Sequence, residues 1–113
     1  MGVVLTNNVS SVLANGVAAG DTMLTIDPNH ADRFPSITPG EYAYATLSMP
    51  PESLILQVEI VRITDRTGNQ LTVVRGVDGT IPQAFPKMSV VALRINAASV
   101  LESFISNYDV LLL

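Results

Sequence analysis

The fold this sequence predicts is a mainly β domain, a small barrel or sandwich of about six strands with a C-terminal amphipathic helix. Three observations predict it. Turn residues recur at short, fairly even intervals: Asn15-Gly16, Gly20-Asp21, Asp27-Pro28-Asn29, Pro39-Gly40, Pro50-Pro51, Thr67-Gly68-Asn69 and Asp78-Gly79. Short segments between them are rich in β-branched and aromatic residues, the signature of an all-β domain. After Ile95 the apolar period lengthens from that of a strand to that of a helix. The β domain is therefore placed at residues 1–95, and the helix with an apolar tail at 96–113.

The strands are expected at residues 9–13, 22–26, 42–48, 54–64, 70–74 and 89–95. In the longest, Leu56, Val58 and Ile60 fall on one face and Val61 and Ile63 on the other. An apolar phase that switches near Ile60 implies a bulge, a strand shared by two sheets, or burial on both faces. Thr67-Gly68-Asn69 has the length and composition to join this strand to the next as a hairpin. Asn96 can cap a helix over residues 96–107, with Val100, Leu101, Phe104, Ile105 and Tyr108 at helical spacing. Val110 and Leu111, Leu112 and Leu113 follow. Apolar residues of this kind need a docking surface, on the chain's own β domain or on a neighbouring subunit.

At 113 residues the chain has the size of one domain. Charged residues make up 14% against about 25% in a typical protein. With 48% hydrophobic residues, that scarcity suggests a surface partly covered by other chains. The net charge of −4, with scattered basic residues, argues against a nucleic-acid partner, because phosphate binding needs clustered Lys and Arg. The absence of Cys excludes disulfides and thiolate metal sites. No window approaches the roughly 18 apolar residues of a membrane span, so no membrane partner is expected.

The inventory for chemistry is thin, and we expect no enzyme, no cofactor and no metal. His30, the single histidine, lies in a loop with Asp27 and Asp32, a cluster that lacks a second strong ligand. Glu41, Glu52 and Glu59 are separated by turns, which is not the arrangement of paired catalytic carboxylates. No serine sits in a nucleophile elbow, and neither glycine-rich phosphate motif occurs. Tyr42 and Tyr44 share one face of their strand, where they form either cross-strand packing or a small aromatic platform for a glycan. Phe34-Pro35 and Phe85-Pro86 read as loop anchors that bury one ring each.

Residues 71–80 are the most distinctive stretch, a short strand that breaks into Arg75-Gly76-Val77-Asp78-Gly79-Thr80. Gly76 and Gly79 permit positive φ, and Asp78 and Thr80 can bond nearby backbone. Arg75 can reach a carboxylate such as Asp78 or Glu59. The expectation is a rigid structural corner clamped by Arg75.

This corner, in order with Gly20-Asp21-Thr22, Leu24-Thr25-Ile26, Phe34-Pro35, Gly40, Glu59-Ile60-Val61, Ile63-Thr64, Gly68-Asn69 and Leu71-Thr72-Val73, resembles a small β module of bacteriophage tail and fibre-associated virion proteins. The resemblance covers roughly residues 9 to 95. It departs after Thr80, where the family runs through alanines to a His and a Gly; here stand Pro82, Gln83, Ala84, Phe85 and then Met88. Phe85 is expected to bury its ring and Met88 to fill a gap.

The resemblance implies a virion structural protein, a tail or baseplate-region component that forms a homo-oligomer and links neighbouring virion proteins or fibres. Its subunit interface is expected at Leu101, Phe104, Ile105, Tyr108, Leu111, Leu112 and Leu113. A capsid decoration or cement protein would use the same packing chemistry elsewhere on the particle. A host-glycan-binding module, acting through Tyr42 and Tyr44, is the reading from a different class.

Overall fold

The computed structural model describes residues 2–3, 9–55 and 57–93. The expected helix at 96–107, its apolar stripe and residues 110–113 lie outside them. Seven strands run in chain order: β1 (Gly2–Val3), β2 (Val9–Val12), β3 (Met23–Thr25), β4 (Glu41–Ser48), β5 (Val58–Thr67), β6 (Gln70–Val77) and β7 (Val90–Leu93). Six form one antiparallel path in the order β2-β7-β4-β5-β6-β3, and β1 pairs with β4 in parallel. The fold is thus mainly β and barrel-like, a single curled sheet.

The curl brings the two edge strands together. Leu13, just past β2, bridges Ile26, just past β3. The N–H of Ala14 donates to the Thr25 carbonyl at 2.8 Å, and that of Asp27 to Val12 at 3.0 Å. Small inward residues allow a tight curl: β4 turns Ala43, Ala45 and Leu47 inside, and its outer residues alternate with them. These pack with Leu24, Val61, Ile63, Leu71, Val73, Val91 and Leu93 into one core. Each such Leu, Ile or Val contributes about 1.5–3 kcal/mol relative to exposure. Phe34 and Phe85, at 3% and 2% exposure, close the core from loops, as anchors should.

The turns follow their local chemistry. Thr67 pairs with Gln70, which leaves a two-residue hairpin whose first residue, Gly68, has φ 60°. Glycine at that place defines the type II′ hairpin turn, whose twist matches the strands it joins. A 3-10 helix over Pro28–Arg33 begins with Asp27, whose side chain accepts from the Asn29 N–H, and is anchored to β2 by Arg33 donating to the Ser10 carbonyl.

Three sequence expectations are corrected. The longest strand starts at Val58, so residues 54 and 55 belong to a loop, where Leu54 is 98% exposed. The apolar phase does not switch within β5: Glu59, Val61 and Ile63 all face inward, with a charged residue holding the first inward place. The switch lies one strand over. Between the pairs Ile60/Val77 and Arg62/Val74, Arg75 and Gly76 together oppose Val61. This glycine bulge turns Val77 to the outer face. A second irregularity follows between Ile63 and Asp65. Finally, Met88 fills no gap, being 50% exposed.

Candidate functional site

The bulge makes the corner. Because β6 turns Leu71 and Val73 inward, Arg75 continues on the inner face, beside the inward Glu59 of β5. Its Nε donates to Glu59 Oε2 at 2.7 Å and its Nη2 to Oε1 at 2.8 Å. Nη1 donates to the carbonyls of Ala18 and Asp21 at 2.7 Å and 2.9 Å, and Nη2 also to that of Gln83. Those bonds use all five N–H groups of the guanidinium.

The carboxylate is matched as fully. Besides Arg75, Glu59 accepts the Gly76 N–H on Oε2 at 2.9 Å and the Gln83 N–H on Oε1 at 2.8 Å. Its side chain is 0% exposed and that of Arg75 5%. Burial pushes the Glu59 carboxyl up, but the hydrogen bonds from Arg75, Gln83 and Gly76, with the Arg75 charge, outweigh it and hold the pKa below the ordinary glutamate value. A buried ion pair repays its desolvation only when its remaining valences are also bonded. Here they are.

Backbone geometry sets the rest of the corner. Gly76 has φ 59°, and a Cβ there would lie 2.5 Å from the Pro82 ring, so glycine is required both by conformation and by contact. Asp78 and Gly79 follow with φ 54° and 83°, and the Thr80 N–H closes the turn onto Val77 O at 3.1 Å. Positive φ at both central residues is the type I′ signature, for which Asp-Gly is a favoured pair. Thr80 then stands in for a strand: its Oγ1 accepts from the Ile60 N–H at 3.0 Å and donates to Val77 O at 2.7 Å. The five predicted corner residues are therefore brought together, and among the described residues Glu59 rather than Asp78 takes Arg75.

What the sequence did not disclose is the reach of the clamp. The carbonyls of Ala18 and Asp21 belong to a loop more than 50 residues from Arg75 and that of Gln83 to the loop after β6, and a backbone acceptor leaves no residue-type signal. Asp21 also closes its own turn, accepting the Ala18 N–H at 2.9 Å.

Other candidate residues sit apart. Ser11 Oγ lies 2.9 Å from His30 Nδ1, and Asp27 Oδ2 lies 4.0 Å from the same nitrogen. A serine relay needs the nucleophile and the acid on opposite ring nitrogens, and Ser11 is itself buried. Among the described residues no three His, Cys, Asp or Glu gather as a metal site. Tyr42 and Tyr44 meet edge to face, with ring centroids 5.7 Å apart and planes at 87°, and the Arg62 guanidinium stands 5.4 Å over the Tyr42 ring. Tyr44 is only 8% exposed. The pair thus makes no flat double platform.

The predicted interface residues Leu101, Phe104, Ile105, Tyr108, Leu111, Leu112 and Leu113 lie outside the described residues. No helix among the described residues is long and apolar enough to cross a membrane. No protein-family model matches the chain, and no curated protein matches it.

Proposed function

We propose that this chain is a structural module of a bacteriophage particle, a tail or baseplate-region component that forms a homo-oligomer and joins neighbouring virion proteins or fibres. One observation carries the reading. The stretch that bears the family resemblance, Arg75 to Thr80, builds a fully bonded clamp with Glu59 that fixes two further loops. Such a device holds surface loops in one geometry, which rigid assembly requires, and it presents no reactive group to solvent. The scarcity of charge, at 14%, suits a surface that other chains cover.

The mechanism is burial of apolar surface between subunits. Residues 100–113 supply the apolar side, with Leu101, Phe104, Ile105, Tyr108 and Leu111 to Leu113 as its contacts. The test is twofold. Light scattering of the full-length chain should give a defined multiple of the 12.0 kDa protomer. Gold-labelled antibody against the chain should decorate the tail or baseplate end of intact particles. A strict monomer, or label spread evenly over the capsid shell, overturns the tail reading; the second result favours the decoration protein instead.

A further inference from the structure

Residues 54–61 are β-prone and free of proline, and Glu59 is their one charge, a composition that favours strand pairing between molecules. That charge is hidden, because Glu59 turns inward to Arg75. Where this stretch runs as β5, one flank pairs with β4 from Val58 to Ile63. On the other flank β6 stops at Val77, opposite Ile60. There the backbone of Val58 and Ile60 meets side chains of the returning segment 80–84 instead of a strand. Thr80 Oγ1 accepts the Ile60 N–H at 3.0 Å and lies 3.3 Å from the Ile60 carbonyl, and Gln83 Nε2 donates to the Val58 carbonyl at 3.2 Å. Gln57 Nε2 donates to the Ala84 carbonyl at 2.6 Å, which ties the far end of the segment to the approach to β5.

A hydroxyl and an amide thus fill the places where an added strand would put its own N–H and C=O groups. The segment is also held independently of those two side chains: the Gln83 N–H and carbonyl bond to Glu59 and Arg75, and the Thr80 N–H closes onto Val77. Pro82, in its middle, has no N–H, so the segment offers only a broken ladder on its own outer side. We infer that residues 80–84 are an edge guard: the side chains of Thr80 and Gln83 keep β5 of one copy from pairing with β5 of another. Self-association is thereby confined to other surfaces, whatever the oligomeric state of the wild-type chain.

In the full-length chain, Thr80→Val with Gln83→Ala removes both capping groups and keeps the main chain of the segment. With rising concentration this double variant should grow beyond the wild-type species in light scattering, and its infrared spectrum should gain an intermolecular β-sheet band. Adding Val58→Lys, a charge at the half-exposed start of the same edge, should return it to the wild-type size. Thr80→Ser keeps the hydroxyl and should not grow. Gly79→Ala strains the same turn with both side chains retained, and it should not grow either. A double variant of wild-type size overturns the guard, as does growth that Val58→Lys fails to stop or that Gly79→Ala shows equally. Should the double variant fail to fold, the milder Thr80→Val decides by hydrogen exchange and light scattering. Its Ile60 amide should exchange about tenfold faster than in the wild type, the loss of one hydrogen bond, and the chain should grow at high concentration. An unchanged amide or an unchanged size overturns the guard.

Discussion

Arg75 and Glu59 face each other from neighbouring strands inside the curled sheet, joined by two parallel bonds of 2.7 Å and 2.8 Å. The pair differs from a surface salt bridge in what each partner does next. Arg75 reaches the Ala18–Asp21 turn and Gln83, and Glu59 collects the amides of Gly76 and Gln83. Loss of either side chain therefore strands backbone groups as well as a charge.

The first prediction follows from that. Arg75→Ala leaves a buried carboxylate without its cation and should lower unfolding stability by about 3–5 kcal/mol. Glu59→Gln keeps one acceptor oxygen but turns an amide NH2 toward other donors, and should cost about 1–3 kcal/mol. In urea titrations the double variant should lose less than the two single losses added, because the partners share one set of bonds. A cost for Arg75→Ala under about 1 kcal/mol, the range of exposed pairs, would show the clamp to be idle.

Acid should release the same clamp. The folded-state pKa of Glu59 lies below its unfolded value, so its contribution is complete above the ordinary glutamate pKa of about 4.3 and is lost as pH falls through the lower folded value. Glu41 shifts in the same direction, held down first by the Thr38 hydroxyl and then by the Thr38 N–H, but it is exposed and adds little. Melting temperature should hold steady near neutrality and fall below about pH 4. Glu59→Gln should show a shallower acid slope than wild type. Equal slopes would assign the acid loss to other carboxylates.

Two glycines of the corner separate contact from conformation. Gly79, at φ 83°, has nothing within 4 Å of the place a Cβ would take. Gly79→Ala should cost only the left-handed strain of about 1–2 kcal/mol. Gly76→Ala adds a collision with the Pro82 ring to similar strain and should exceed about 3 kcal/mol. Gly76→Ala with Pro82→Ala should recover part of the difference. The reverse order, with Gly79→Ala the worse, would mean that the bulge is not held against Pro82.

Local chemistry made most of the strands legible. Turn residues bounded β2, β3, β4, β6 and β7 to within a few positions, and Gly68-Asn69 marked the hairpin outright. The long strand misled because Leu54, Ile55, Val58 and Ile60 look like core, while the inward place at 59 goes to a glutamate. The arginine of the neighbouring strand, with the amides of Gly76 and Gln83, makes that burial tolerable, and a partner on another strand is invisible to a period-two pattern. At the corner, glycine spacing and the Arg-carboxylate match were readable. Which carboxylate, and which loop carbonyls, depended on a bulge whose register emerges only when β5 and β6 pair.

Met88 provides a test of strain away from the clamp. The Ser89 N–H bonds to Pro86 O at 3.2 Å, which makes Met88, at φ 74°, the third residue of a turn whose type II form calls for glycine there. Its side chain is half exposed, so little burial offsets the left-handed cost of about 1–2 kcal/mol. Met88→Gly relieves that strain and gives back about 0.5–1 kcal/mol through the freer unfolded chain. The net should be a gain of a few tenths to about 1 kcal/mol, seen as a higher urea midpoint with an unchanged slope. Met88→Val should move the midpoint the other way, because a β-branched residue tolerates positive φ least. The bond from the Met88 N–H to Leu13 O, at 2.9 Å, is a backbone bond that both substitutions keep, so its loss does not enter the comparison. A glycine variant less stable than wild type would place the methionine side chain in a contact that outweighs its strain.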